Sequence, residues 1–415
     1  MNRYKKILLS LFIVMSAYVE AYDISEPNFP VSDSSTLYNP LLVVIIMIKN
    51  EENVINATLE PYIKAGIDSY LIFDTGSTDN TVQTVKQYLA EQEVKNAYIM
   101  EEPFVNFAVS RNRAFELAEE KFPNAGFFLV IDAEWYMTNV EGLIDFCKSH
   151  CDDTTPSYSI RITWPGNDCY TYRLSKACSK ARFFGPVHEV LLPVSGEKTP
   201  RDIYFEYRPA ETGRKSTRAR WIRDCDILLK SFHDNPQDSR TVFYLAQTYE
   251  CLNDLHNAYI FYKIRSYQPG WDEENYETFF RLGRIAHTLS KTDENFTWSM
   301  AFDYFCTAFK MRPHRAEPLI EIAEHYWPDN IPLCFLFAKR ALDLPYPENE
   351  VLFVNNVIYD YCRYEVVSKS AWSVGEYELG EYATKEALKV HPDFPHLQRN
   401  LECYVQKNAE IACCA

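Results

Sequence analysis

From Leu41 to Ile48 every residue is apolar: Leu41-Leu42-Val43-Val44-Ile45-Ile46-Met47-Ile48. A run without polar alternation fits a strand buried on both faces, as in a parallel sheet covered by helices. Asn53 to Ala65 has a helical pattern, and Tyr70-Leu71-Ile72-Phe73 reads as a second buried strand. The alternation continues with a helix over Thr81 to Leu89, a strand over Asn96 to Met100, a helix over Ser110 to Ala118 and a strand over Phe127 to Ile131. Strands alternating with helices at this spacing predict an α/β sheet, with nucleotide-type ligands at the carboxyl ends of its strands. The polar residues of interest all fall at those ends.

From about residue 213 strand signals nearly vanish and helix pairs take over. Leu245, Ala246, Tyr249, Ala258 and Tyr262 follow the small-and-large spacing of a tetratricopeptide unit. Ala301, Phe305, Ala308 and Pro313 give a second partial match. A third pair runs from Pro318 to Leu344, with Ala323 and Tyr326 in its first helix, and a last one covers about Val351 to Val390. An insertion is expected around Trp271 to Tyr276. With 415 residues, the chain is long enough for this division. The expected layout is an N-terminal segment 1–21, a linker 22–38, an α/β domain 39–212, a helical repeat domain 213–405 and a tail 406–415.

Arg3, Lys5 and Lys6, the apolar run Ile7 to Val19, and Val19-Glu20-Ala21 have the three-part layout of a secretory signal. An uncleaved membrane anchor is the other reading, so the chain is expected to be exported or held at its N-terminus. Asn56 and Asn295 head glycosylation sequons. Of the twelve Cys, Cys147, Cys151, Cys169 and Cys178 cluster, and a disulfide among them is one reading. Cys225, Cys251, Cys306 and Cys334 fall among apolar helical residues, where Cys acts as a small hydrophobe. A formal charge of −16 repels a phosphate backbone and argues against nucleic acid as a partner.

Asp74 follows the second strand in Asp74-Thr75-Gly76-Ser77-Thr78-Asp79. An acceptor there can take a base N–H or a ribose hydroxyl, and a bare turn with a helix cap is the alternative. Asp132-Ala133-Glu134 follows the fourth strand. Two carboxylates at a strand end can hold a hard divalent cation and its diphosphate. Trp135 and Tyr136 come next, as sugar-stacking rings or as core aromatics. Gly185-Pro186 precedes His188 and Glu189. His188 can complete a metal site through a neutral ring nitrogen, and Glu189 can act as a general base. Asp168 is a rival base, and a structural His–Glu pair is the alternative. Arg208, Arg214, Lys215, Arg218, Arg220 and Arg223 form a basic stretch in an acidic chain, suited to an anionic leaving group or to a solvated helix face.

Taken in order, Lys49-Asn50-Glu51-Glu52, the Asp74 turn, Phe107-Ala108-Val109-Ser110-Arg111-Asn112, Asp132-Ala133-Glu134 and Gly185-Pro186-Val187-His188-Glu189 resemble family 2 glycosyltransferases of the GT-A fold. Phe243-Tyr244-Leu245-Ala246-Gln247 and Gly270-Trp271-Asp272-Glu273-Glu274 resemble the subgroup with C-terminal tetratricopeptide repeats. The resemblance covers roughly residues 41 to 390. It implies an α/β GT-A (Rossmann-like) nucleotide-sugar domain followed by an all-α tetratricopeptide-like helical repeat domain. It also implies transfer of a sugar, usually UDP-linked, to a glycan, lipid or protein acceptor, with inversion. By this resemblance Asp74 binds the nucleoside, Asn50 and Glu51 line the same pocket, and Arg111 contacts the diphosphate or its loop. Asp132 and Glu134 then hold Mn²⁺ or Mg²⁺, with Glu134 departing from the usual D-x-D. The repeats would supply an acceptor groove, a protein-partner surface or a homodimer surface. A weakened enzyme serving as a scaffold for a protein partner is the alternative.

Overall fold

The computed structural model describes residues 38–164, 166–208 and 211–414. The expected signal segment, and all of the linker but Tyr38, lie outside them. β1 (Leu42–Ile48), α1 (Ile55–Lys64), β2 (Ser69–Asp74), α2 (Thr81–Glu91), β3 (Asn96–Glu101), α3 (Phe107–Lys121) and β4 (Phe127–Ile131) alternate as expected. They are followed by β5 (Trp135–Thr138), α4 (Val140–Ser149), the β6–β7 hairpin (Ser157–Trp164, Asn167–Lys176), the β8–β9 hairpin (Arg182–Phe184, Val190–Leu192) and β10 (Tyr204–Tyr207).

Eight strands form one sheet in the order β3-β2-β1-β4-β7-β6-β10-β5. β3, β2, β1 and β4 are parallel, whereas β7 joins β4 antiparallel. Side chains of a strand alternate between faces, so β1 feeds two cores. Val44, Ile46 and Ile48 pack with Leu59 and Tyr62 of α1 and Val85 of α2. Val43 and Ile45 pack with Phe115 and Ala118 of α3 and with Phe183 and Leu191 of the β8–β9 hairpin. β1 has β2 on one side and β4 on the other, so the loops after these strands diverge from a common crevice, the place where open α/β sheets bind ligands.

The helical half comprises α5 (Glu211–Asp234), α6 (Ser239–Cys251), α7 (Leu255–Arg265), α8 (Asp272–Leu289), α9 (Trp298–Met311), α10 (Glu317–Tyr326), α11 (Ile331–Leu342), α12 (Arg363–Ser370), α13 (Tyr377–Val390) and α14 (Pro395–Cys414). α6/α7, α8/α9, α10/α11 and α12/α13 are the successive pairs. Small residues such as Ala246, Ala258, Ala286, Ala301, Ala308, Ala323 and Ala338 are fully buried where helices approach. The expected insertion near Trp271 is instead the start of α8. Asp272, Glu273 and Glu274 occupy its first turn, where carboxylates complement the helix dipole. The expected tail belongs to α14, which continues to Cys414. All described cysteines are free, so Cys147, Cys151, Cys169 and Cys178 form no disulfide. No described helix is long and apolar enough to cross a membrane.

The helical half grips the sheet. Asp168 and Val354 exchange backbone hydrogen bonds at 3.0 and 3.1 Å, and Tyr170 N–H donates to the Val351 carbonyl at 2.8 Å. Buried Glu273 accepts from Val351 N–H and Leu352 N–H at 2.8 and 2.7 Å. Arg315, fully buried, pairs with Glu317 at 2.8 Å and Glu350 at 3.4 Å and donates to the carbonyls of Leu352 and Phe353. A buried charge needs such saturation, since an unpaired one is strongly destabilising.

Candidate functional site

Two loops meet at the carboxyl edge of β1 and β2. Asn50 has φ 59°, a left-handed conformation that Asn tolerates better than most residues. Its Oδ1 accepts from Thr78 N–H at 2.7 Å, and its N–H donates to Ser77 Oγ at 2.9 Å. Asp74, 2% exposed, accepts from Gly76 N–H and Ser77 N–H at 2.9 and 3.0 Å, and from the Ser77 hydroxyl. Gly76 has φ 97°, which requires glycine. Asp74 and Asn50 are thus engaged in latching the two loops. Glu51 N–H donates to Thr81 Oγ1 at 2.7 Å, which seats its side chain on the same edge. Burial first, then the charges of Glu134, Asp132 and Asp79, push the Glu51 pKa up to about 7.

Asp132 stands just past β4 between two arginines. Arg111 Nη2 donates to Oδ1 at 2.7 Å, and Arg173 Nη2 donates to Oδ2 at 3.3 Å. Burial alone would raise the Asp132 pKa, but Arg111 and Arg173 outweigh it and hold the carboxyl below its ordinary value. Arg111 also reaches Glu189 Oε1 through Nε at 2.8 Å, and Arg173 lies 3.9 Å from the same oxygen. Arg111, Asp132, Arg173 and Glu189 therefore form one cluster, buried except for the partly exposed Asp132 carboxylate.

Arg173 was not singled out in the sequence. Ser159 pairs with Tyr172 and Tyr158 with Leu174, so Arg173 is the extra residue of a β-bulge. Bulges re-aim a side chain, and here the guanidinium turns toward Asp132 over the ring of Trp135, 4.5 Å from its centroid. Trp135 also lies against Phe205, with centroids 5.3 Å apart, so it serves the core at the rim of the site. Tyr136 carries Arg208 over its ring at 4.9 Å. Asn112, next to Arg111, clamps β8 by accepting from Phe183 N–H at 2.7 Å and donating to its carbonyl at 2.9 Å. The Ser-Arg-Asn run in α3 thus serves the site and the hairpin with successive residues.

The Gly185–Glu189 turn connects β8 to β9. Val187 enters the core that contains Phe243, Tyr244 and Leu245 of α6, a burial worth about 1.5–3 kcal/mol for a valine. The His188 ring stacks on Tyr244, with centroids 4.1 Å apart and planes at 13°. Desolvation by surrounding protein, then the charges of Arg240 and Arg220, lower the His188 pKa to about 4, which keeps the imidazole neutral. The residue as a whole remains exposed, so solvent damps that shift.

Asp168 lies elsewhere. It is five residues from Arg173 along β7, about 17 Å at the usual strand rise. Its carboxylate meets Arg161 at 3.3 Å, Arg201 at 3.6 Å and the Tyr346 hydroxyl at 3.3 Å, at the junction with the helical half. In the basic stretch, Arg220 comes near the site edge: burial first, then the charge of Glu134, raise the Tyr207 pKa, and the charge of Arg220 opposes them. Arg214 and Lys215 lie outside the described side chains.

Among the described residues no group of three His, Cys, Asp or Glu side chains is arranged to hold a metal ion. Asp132, Glu134 and His188 are therefore not assembled as a ready-made ligand set. The donor chemistry still suits a hard cation. Glu51, Asp132 and Glu134 offer carboxylate oxygens, and after burial the charges of Glu134 and Asp132 contribute to the raised Glu51 pKa.

The family model of glycosyl transferase family 2 matches residues 43–160. No curated protein matches the chain. Among solved structures, the chain is similar to the mannosyltransferase PcManGT from Pyrobaculum calidifontis, solved with GDP-Man and Mn²⁺. That likeness has 15% identity over 81% of this chain and 94% of the other, at a TM-score of 0.37. The C-terminal part of a TPR repeat-containing protein from Cytophaga hutchinsonii is 12% identical over 45% of this chain and 65% of that one, at a TM-score of 0.35. A thermophilic TPR protein of Thermus thermophilus is 16% identical over 46% and 94%, at a TM-score of 0.27.

Proposed function

We propose, from the premise that residues 43–160 form a family 2 glycosyl transferase domain, that this protein transfers a sugar from a nucleotide donor, UDP-linked in the first instance, to an acceptor hydroxyl. The observation that carries the reading is the convergence of Glu51, Asp132 and Arg111 at the crevice beside β1, β2 and β4. A divalent cation bound there would stabilise the negative charge that grows on the departing diphosphate. Asp132 and Glu134, with Glu51 beside them, would hold it. Asn50, Asp74, Ser77 and Thr78 keep the nucleoside side of the crevice in one shape through their latch. Arg111 and Arg173 fix Asp132 so that its carboxylate needs no reorganisation when charge develops. Glu189 would take the acceptor proton. Arg111 at 2.8 Å and Arg173 at 3.9 Å from its Oε1 would hold it in place for that task. Asp168, committed to the sheet–helix junction, has no part in this scheme.

Isothermal titration of UDP and of GDP into the full chain with Mn²⁺, then with EDTA, tests the reading. Micromolar-range binding that needs the metal and is lost in Asp132→Ala is the expected result. Absence of binding to either nucleotide in every metal condition would refute a working donor site. The helical half would then be the place to look for a protein partner, as in the scaffold alternative. The export expectation adds that donor and acceptor meet the protein outside the cytosol; cell fractionation checks it.

A further inference from the structure

The Gly185–Glu189 turn is held from two sides. A two-stranded hairpin such as β8–β9 is marginal by itself. Its tip contains Gly185 at φ 100° and His188 at φ 52°. A left-handed conformation at a residue other than glycine persists when the surroundings over-determine it. On the helical side, Val187 is buried in the α6 core and His188 stacks on Tyr244. Arg240 Nη2 donates to the His188 carbonyl at 3.0 Å, and Arg240 Nη1 donates to Glu274 Oε1 at 2.9 Å. Arg240 itself lies over the Tyr244 ring at 4.7 Å. On the sheet side, the next residue, Glu189, is held by Arg111 at 2.8 Å, and Arg111 holds Asp132. One peptide unit thus separates a contact made by α6 from the cluster around Asp132.

We propose that Arg240 and Tyr244 are positioning residues of the donor site, so that the first helix pair of the repeat half sets the turn that presents Glu189 to Arg111. The functional part of this inference rests on the donor-site reading above; the mechanical part does not. The repeats are then a working part of the site. A ligand that favours one placement of α6 biases the turn, by as much as it discriminates between placements.

Hydrogen exchange on the full chain tests the mechanical part without any nucleotide. Amides of residues 183–191 should exchange about tenfold faster or more in Arg240→Met and in Tyr244→Leu, because the tip opens locally. Lys369→Met is the control. It breaks ion pairs with Glu324 and Glu365 among the later helices, away from α6, and should leave those amides unchanged. Unchanged exchange in both Arg240→Met and Tyr244→Leu overturns the proposal, as does equal acceleration in the control. Where Arg240→Met fails to fold, Arg240→Lys carries the same measurement, with an intermediate acceleration expected.

Nucleotide titration then tests transmission. Arg240→Met should weaken Mn²⁺-dependent UDP binding about tenfold, within the range for outer-shell partners of a metal site, and Arg240→Lys should regain part of it. Glu189→Gln, which weakens the hold of Arg111 on the same turn, should also weaken UDP binding, and in the double variant the two losses should not multiply, because both act through one turn. Multiplying losses refute transmission through the turn. If the unaltered chain binds neither UDP nor GDP, the donor-site reading fails, and hydrogen exchange alone decides the positioning.

Discussion

Replacing Glu273 by alanine should loosen the junction between the sheet and the helices. Its Oε2 accepts two N–H groups, from Val351 at 2.8 Å and Leu352 at 2.7 Å. The residue is 6% exposed, so water does not readily replace the carboxylate. Each orphaned buried N–H costs about 1–3 kcal/mol, or about 2–6 kcal/mol for the pair. Against this, burying the Glu273 carboxylate is itself unfavourable. Desolvation, and then repulsion from Glu350, raise its pKa, and alanine removes that penalty. A net loss of about 2–4 kcal/mol follows from setting the two against each other. Urea unfolding followed by circular dichroism measures it as a lower midpoint. Exchange at Tyr170, whose N–H donates to the Val351 carbonyl at 2.8 Å, should rise in parallel. A loss below about 0.5 kcal/mol, the scale of an ordinary surface substitution, would refute the claim that this carboxylate holds the junction.

The Glu51 pKa near 7, against an ordinary 4.5, means that the folded protein binds more protons than the unfolded one between those values. Stability should therefore fall as pH rises from about 4.5 to 7, by about 1–2 kcal/mol after discounting for solvent. Glu51→Gln should flatten that profile in urea titrations. Mn²⁺-dependent nucleotide binding should strengthen from pH 6 to pH 8, because the cation competes with the Glu51 proton, and the variant should lose this dependence; calorimetry at several pH values reads it. Gly283→Ala would place a Cβ 2.6 Å from the Phe305 ring, which is fully buried and has nowhere to move. Even with alanine's better helix propensity, overpacking should lower stability by about 1–2 kcal/mol, measured as a drop in Tm.

The parallel strands were legible because they are short unbroken apolar runs, and the same hydrophobic residues fill two cores on opposite faces of the sheet. β5, β6, β7 and β10 were not expected. Their antiparallel members mix Arg, Tyr, Thr and Asp with apolar residues, as in 157–176, and only pairing with β4 makes them strands. Of the site, Asp74, Asp132 and Glu134 could be picked out because strand ends collect polar side chains, Glu189 because it follows the Gly185-Pro186 turn, and Asn50, Glu51 and Arg111 through the family resemblance. Arg173 could not, since a bulge leaves no signal of its own in one sequence. Asp168 was misleading for a related reason: its hairpin tip looks like a catalytic loop until the segment ending at Val354 pairs with it.

The sequence by itself determined the alternation that makes a sheet, the small-and-large spacing that makes stacked helices, and the acids at strand ends. These depend on local periodicity and on burial, which a chain carries along its length. Only the tertiary structure decided what those groups face. Asp132 lies between Arg111 and Arg173, Asp74 serves its own turn, and His188 rests on Tyr244. The partners of Asp132 and His188 stand tens of residues away, and contacts at that separation are set by how whole elements pack. Such packing is also why the turn at Gly185–Glu189, one short motif in the sequence, belongs to both halves of the molecule.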